Sequence, residues 1–255
     1  MNVLGLDCSA DTLCAAVRRS GSPSGGPSSD SSTASGKPGI PKHPFREPRG
    51  HETRDGTIVL EIDAGLRHAQ RILPAVDLCL REAGLELRDL DLLACAAGPG
   101  SFTGLRIALS TVKGLSSALG IPFVTVPTPD CLAAEWEGAC PVVIPVLDAQ
   151  RGRFYAAVYE RGRRTSGYLD LPLTELLRYA DAFPEVLFTG PAADLLVGSE
   201  EGRPGLRIVR YGRGSPARGL LDLAVERFRS EGPADPECGP LYVRKSDAET
   251  EQRRD

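Results

Sequence analysis

Histidine is scarce, with three among 255 residues: His43, His51 and His68. His68 has Ile72 at i+4, so no helical face carries the histidine pair that holds a catalytic zinc. No serine or cysteine sits in a GxSxG elbow or other nucleophile signature. Metallopeptidase and triad-hydrolase chemistry are disfavoured together. The seven cysteines include no CxxC pair, and an odd count of that kind reads as reduced thiols in a buried core rather than a disulfide scaffold. No apolar run approaches the roughly 18 residues needed to cross a bilayer. The opening MNVLGLDCSA lacks a basic region and meets an acid at Asp7, unlike a secretory signal, so a cytoplasmic protein is expected. Lysine and arginine form no block, and the net charge is −4 with a pI near 5.6. Free-standing binding to nucleic acid or to an anionic membrane is therefore disfavoured.

Glycine and proline are in excess: 28 and 21 residues, against a usual combined level of roughly 12%. They concentrate in Ser20 to Gly56, which holds 7 Gly, 6 Pro and 8 Ser, with Ala34, Ile40 and Phe45 its only apolar residues. Such a stretch buries too little to offset its ordering entropy. It reads as a disordered insertion at a hairpin tip.

The remainder has clear periodicity. Apolar runs Val3 to Asp7, Leu13 to Val17 and Thr57 to Ile62 read as three strands in series. Leu66 to Ala83 carries a helical stripe of Ala69, Ile72, Leu73, Val76, Leu80 and Ala83, ended by Gly84, with a kink expected at Pro74. A second apolar row, Leu66, Ala75, Leu78 and Cys79, makes this helix either sandwiched in the core or paired with another chain. A strand at Leu90 to Ala96, a helix over Phe102 to Leu119 and a strand at Phe123 to Val126 follow, then a short helix opened by Thr128-Pro129.

The second half starts the pattern again. Strands are expected at Val142 to Asp148, Phe154 to Tyr159, near Tyr168, at Val186 to Thr189 and at Leu206 to Val209. Helices are expected over Leu173 to Ala182, after Pro191, and from Ser215-Pro216 to Gly232. Leu6-Asp7 with Ala15-Ala16-Val17 recurs as Leu147-Asp148 with Ala156-Ala157-Val158 at the same offsets. The order of elements and this coincidence point to a duplicated mixed β-sheet covered by helices, an α/β protein of two lobes. This is the skeleton of the actin-like (ASKHA, ribonuclease H-like) fold, whose two hairpin turns face each other across a nucleotide cleft. Lobes of 1–110 and 111–255 are expected, with the last residues packing back on the first.

The sharpest motif is Gly98-Pro99-Gly100-Ser101-Phe102-Thr103-Gly104-Leu105-Arg106, between a buried strand and a helix. Gly98, Gly100 and Gly104 permit close backbone approach, and Ser101, Thr103 and the helix N-terminus offer donors to an anion. The spacing fits neither a P-loop nor GxGxxG, and a capped strand-to-helix turn explains it equally well. Asp7, Ser9 and Thr12 in the first hairpin turn, and Asp148 in the second, could orient a metal-bound water beside phosphate. The alternative is a pair of Asp/Ser/Thr turns satisfying their own backbones.

These residues resemble a known family. The run GPGSFTGLRIALSTVKGLSSALGIPFVTVPT is similar to the signature of the TsaB (YeaZ) family, which serves threonylcarbamoyladenosine synthesis on bacterial tRNA. LGLDCSADTLCAAV, RHAQRILPAVDLCL, VLDAQRGRFYAAVY and PLYVRKSDAE extend the likeness over most of the chain outside the insertion. The resemblance implies an actin-like platform that catalyses nothing itself. It would pair with a metal-binding TsaD catalytic subunit that modifies adenosine 37 of tRNAs reading ANN codons, and be joined by a small TsaE ATPase. ATP and metal would be bound elsewhere in the complex. The pairing surface would involve the helices holding His68, Leu73, Val76, Leu80 and Arg106, and the same face would support a homodimer when the partner is absent. An independent actin-like ATPase or kinase is the alternative, and a metallopeptidase a more remote one.

Overall fold

The computed structural model describes residues 1–21, 49–52, 56–209 and 216–244. Its first sheet holds β1 (Val3–Asp7), β2 (Thr12–Arg18), β3 (Arg49–Glu52), β4 (Thr57–Asp63), β5 (Leu92–Ala96) and β6 (Phe123–Val126), in the order β3-β4-β2-β1-β5-β6. Successive side chains of a strand face opposite ways, and here both faces are covered. Leu4, Leu6, Leu93 and Cys95 pack under helices α1 (His68–Ala83) and α2 (Phe102–Leu119). Val3, Leu92 and Ala94 pack against α5 (Ala217–Glu231) on the other side. Two-sided burial explains why β1 and β5 read as unbroken apolar runs. Gly5 is the exception in β1, because a Cβ there would lie 3.0 Å from Leu221 and 3.1 Å from Leu220.

The second sheet is built from β7 (Val142–Asp148), β8 (Arg153–Ala156), β9 (Tyr159–Glu160), β10 (Arg163–Arg164), β11 (Leu169–Pro172), β12 (Val186–Thr189) and β13 (Leu206–Ile208). One face carries α4 (Leu173–Asp181) and the other meets α3 (Thr128–Ala134). Helices α3 and α5 lie together between the two sheets, so close that a Cβ on Gly219 would sit 2.1 Å from the Cys131 carbonyl.

The duplication is visible in the pairing. β4-β2-β1 are antiparallel neighbours, and β5 and β6 extend them in parallel; β11-β8-β7 and then β12 and β13 repeat this order and sense. The halves are out of step by one residue, however. Leu6 pairs with Ala15, whereas Leu147 pairs with Tyr155 rather than Ala156, so the Ala-Ala-Val coincidence does not occupy equivalent ladder positions.

Two expectations need correction. Residue 110 lies inside α2, and β6 pairs with β5, so the strands change sheets between Val126 and Val142, not at 110. The insertion is not structureless to its end: Arg49–Glu52 pairs antiparallel with β4 as an edge strand, while 22–48 and 53–55 lie outside the described residues. Pro74 sits within α1, which runs as one helix from His68 to Ala83. The chain's last described stretch packs on the first sheet's side, with Ala234 N–H bonded to Phe123 O and Leu241 N–H to Ala97 O, both at 2.7 Å.

Candidate functional site

The β1–β2 turn and the Gly98–Gly104 turn, both expected to face phosphate, are packed directly on each other. Ser101 N–H donates to Ser9 O at 2.7 Å. A Cβ on Gly100 would stand 2.4 Å from Ser9 O, and one on Gly104 would stand 2.0 Å from Cys8 O. At Gly98, φ is +102°, and a Cβ would meet Leu105 at 2.7 Å and Leu241 O at 2.8 Å. The glycines bring two stretches of this chain's own backbone together, a use glycine serves as readily as approach to a ligand.

The amides of Ser9, Gly98, Ser101 and Gly104 are engaged inside the chain. Asp7, buried in the turn, accepts Ser9 N–H at 2.8 Å. Thr128 Oγ1 accepts Gly98 N–H at 3.1 Å, and Thr128 N–H returns a bond to Gly98 O at 2.8 Å. Ser101 caps α2 by accepting Gly104 N–H at 3.3 Å, leaving Ser101 and Thr103 exposed at the helix entrance. The Ser9 hydroxyl is buried and makes no hydrogen bond. Thr12, half-buried, opens β2 opposite Asp63. In the second turn Asp148 is exposed and accepts both Gln150 N–H at 2.7 Å and the Gln150 side-chain amide at 3.1 Å. Asp7 and Asp148 thus close their own turns as Asx-type acceptors. Among the described residues no group of three or more His, Cys, Asp or Glu could hold a metal ion.

The five residues assigned to a pairing surface divide. His68 is buried at the start of α1, and its Nε2 donates to Ala10 O at 3.0 Å, so it ties the helix to the β1–β2 turn. Val76 and Leu80 are 3% and 4% exposed and belong to the first core, with Ile72, Ala75, Cys79 and Ala83. They are core residues in this chain, since β2 and β4 cover the face that carries them. Leu73 is 55% exposed and Leu66, just before the helix, fully so. Arg106 is exposed on α2, with its guanidinium 3.8 Å from the Phe102 ring centroid and its Nε donating to Tyr242 Oη at 2.8 Å.

The TsaD profile, tRNA N6-adenosine threonylcarbamoyltransferase, matches residues 53–178. The tRNA threonylcarbamoyladenosine biosynthesis protein TsaB of Bacillus subtilis is 34% identical over 109 residues, 42% of this chain and 48% of that protein. An uncharacterised Mycobacterium bovis protein is 33% identical over 181 residues, 71% of this chain and 77% of its own. YeaZ from Pseudomonas aeruginosa superposes with a TM-score of 0.67 at 25% identity, over 95% of this chain and 99% of that one. The chain belongs to the TsaB/YeaZ family. It spans about half the length of the first curated family members that it matches, 48% in each case.

In this TsaB/YeaZ-family chain the residues that sequence reasoning missed lie in the C-terminal strap after α5. Tyr242 stacks on Phe102 with centroids 5.1 Å apart, and Lys113 Nζ donates to Cys238 O at 2.6 Å. Two residues beyond Tyr242 the strap reaches the second sheet: Arg244 bonds Asp170 at 2.8 Å and Ala149 O at 2.9 Å. Asp170 also accepts Arg153 Nε at 2.7 Å. Burial works to raise the Asp170 pKa, but the Arg244 and Arg153 guanidiniums outweigh it and hold the carboxyl below its usual value. The one signal in the sequence was the family-like run PLYVR, which has no periodicity of its own. A second tie joins the layers at α3, where Asp130 accepts the hydroxyls of Tyr159 and Tyr168.

Proposed function

We propose that this chain is a non-catalytic partner subunit in the formation of threonylcarbamoyladenosine at position 37 of tRNAs reading ANN codons. It docks a TsaD-like catalytic subunit, a TsaE-like ATPase joins the pair, and tRNA is reached through the complex in the cytoplasm. The two sheets are read as the lobes of an actin-like fold that has kept its skeleton and given up its chemistry. The supporting observation is the packing of the Gly98–Gly104 turn on Cys8 and Ser9, with the Ser9, Gly98, Ser101 and Gly104 amides bonded within the chain. An actin-like ATPase aims such amides at phosphate oxygens. ATP and metal are therefore assigned to the partners. Leu66, Leu73, Phe102 and Arg106, exposed along α1 and α2, form the docking face, which also supports a homodimer when no partner is present.

The TsaD profile match favours a second reading, in which this chain itself transfers the group. His68, held against Ala10 O within the core, is poorly placed to ligate a metal for that reaction. Affinity capture with the cognate TsaD-like subunit, followed by tRNA modification with and without this chain, separates the readings. Co-purification, with modification that needs both chains, is expected. Transfer by this chain alone, or failure to co-purify, would refute the proposal.

A further inference from the structure

A cavity of about 600 Å³ opens at the far end of β2, with Arg18, Arg19, Ser20, Asp222, Glu226 and Arg229 in its wall. β2 begins at Thr12 beside the turns above and ends at Arg18, so at ~3.3 Å per residue this cavity lies about 20 Å from them. Arg18 is largely buried. Its Nη1 donates to Asp222 at 2.6 Å and its Nε to Thr57 Oγ1 at 3.3 Å, but its Nη2 is buried with no acceptor. That Nη2 is out of contact with solvent, so Arg18 gives the cavity a fixed charge and not a direct contact. Arg19 and Arg229 are exposed and make no ion pair among the described residues, although Arg227, two residues from Arg229, pairs with Glu231. Three guanidiniums thus share one wall with two carboxylates, and one of those, Asp222, is already committed to Arg18.

We propose that this cavity binds a phosphate group. Arg19 and Arg229 supply the bidentate forks that match phosphate oxygens, and Arg18 supplies the fixed positive charge behind them. Glu226 is the one uncommitted carboxylate and opposes binding. The volume suits a nucleotide-sized phosphate ester, and the same chemistry is offered by an RNA backbone.

Isothermal titration calorimetry on the full chain tests this in two arms, one with pyrophosphate and one with a short single-stranded RNA lacking terminal phosphates. Saturable, salt-sensitive binding is expected in at least one arm, weakened tenfold or more by Arg19→Ala/Arg229→Ala and strengthened several-fold by Glu226→Gln. Binding of pyrophosphate alone marks a small ester as the ligand, and binding of RNA alone marks a backbone contact. If the double alanine variant does not fold, Arg19→Lys/Arg229→Lys keeps the charge and removes the forks, and should still lose several-fold in affinity. No binding in either arm, or binding that these variants leave unchanged, would overturn the proposal without bearing on the TsaD-like partner, whose capture is read separately.

Discussion

Two glycines in one helix should respond to alanine with opposite signs. Gly104 and Gly114 both lie in α2, and for each the helix itself gains about 1 kcal/mol from alanine. Around Gly114 an added Cβ meets nothing within 4 Å, so Gly114→Ala should stabilise by roughly 0.5–1 kcal/mol. At Gly104 the same methyl would stand 2.0 Å from the Cys8 carbonyl oxygen. That contact must lengthen by about 1 Å, and neither side can swing away, because Cys8 is fully buried and Ser101 N–H holds Ser9 O. Overpacking of this kind costs about 1–3 kcal/mol and outweighs the helical gain. At roughly 2–4 °C per kcal/mol for a chain of this size, the two variants should melt several degrees apart, on either side of the wild type. Circular dichroism melts and urea titrations measured side by side decide it. A Gly104→Ala protein as stable as Gly114→Ala would show that the two turns are not packed together, and would remove the main support for a phosphate-free platform.

The α1 residues separate by burial. Leu80→Asp should prevent folding, since it places a carboxylate in the core, and Leu80→Ala should cost about 2–5 kcal/mol; Leu73→Asp should leave the melt nearly unchanged while weakening capture of the catalytic partner. The strap should be acid-sensitive. Asp170 has a depressed folded pKa, so its contribution is fully present above the unfolded value of about 3.9 and fades as pH falls through the lower folded one. Asp170→Asn should therefore destabilise by about 1–3 kcal/mol at pH 7, a difference from wild type that shrinks below pH 4 in paired thermal melts. Thiol reactivity should be confined to the half-buried Cys238. Burial pushes the Cys79 thiol up to about 12 and also raises those of Cys8, Cys95 and Cys131, so Ellman's reagent at pH 8 should titrate one thiol in the native protein and seven after denaturation.

The elements were legible where local chemistry and burial agree. α2 and β6 match their expected ranges because Ser101, Gly120 and the apolar alternation mark their ends. In α1 two apolar rows at helical spacing competed, and only the packing of β2 and β4 decides that Ala75 and Cys79 join Val76 and Leu80 inside while Leu73 stays out. Sheet membership was hidden for the same reason. It is fixed by pairing partners far apart in sequence, such as β1 with β5, which composition does not report. The strap was hidden because its ties are backbone groups and single charges, with no stripe to betray them.

The two aspartates show most plainly what the sequence could not carry. Asp7 and Asp148 sit at equivalent ends of repeated strands, each followed by a four-residue turn, and sequence pattern treats them alike. Yet Asp7 is buried beside the Gly98–Gly104 turn, while Asp148 is exposed and accepts the backbone and side-chain amides of Gln150. The one-residue difference in ladder register separates the repeats, and a slip of one residue reverses which face a side chain takes. Duplication therefore preserved the topology without preserving a matched pair of carboxylates across a cleft. Catalysis of phosphoryl transfer between lobes depends on holding several charged groups in one geometry. The one-residue difference between the halves therefore supports the proposed role, in which this chain presents a surface to its partners.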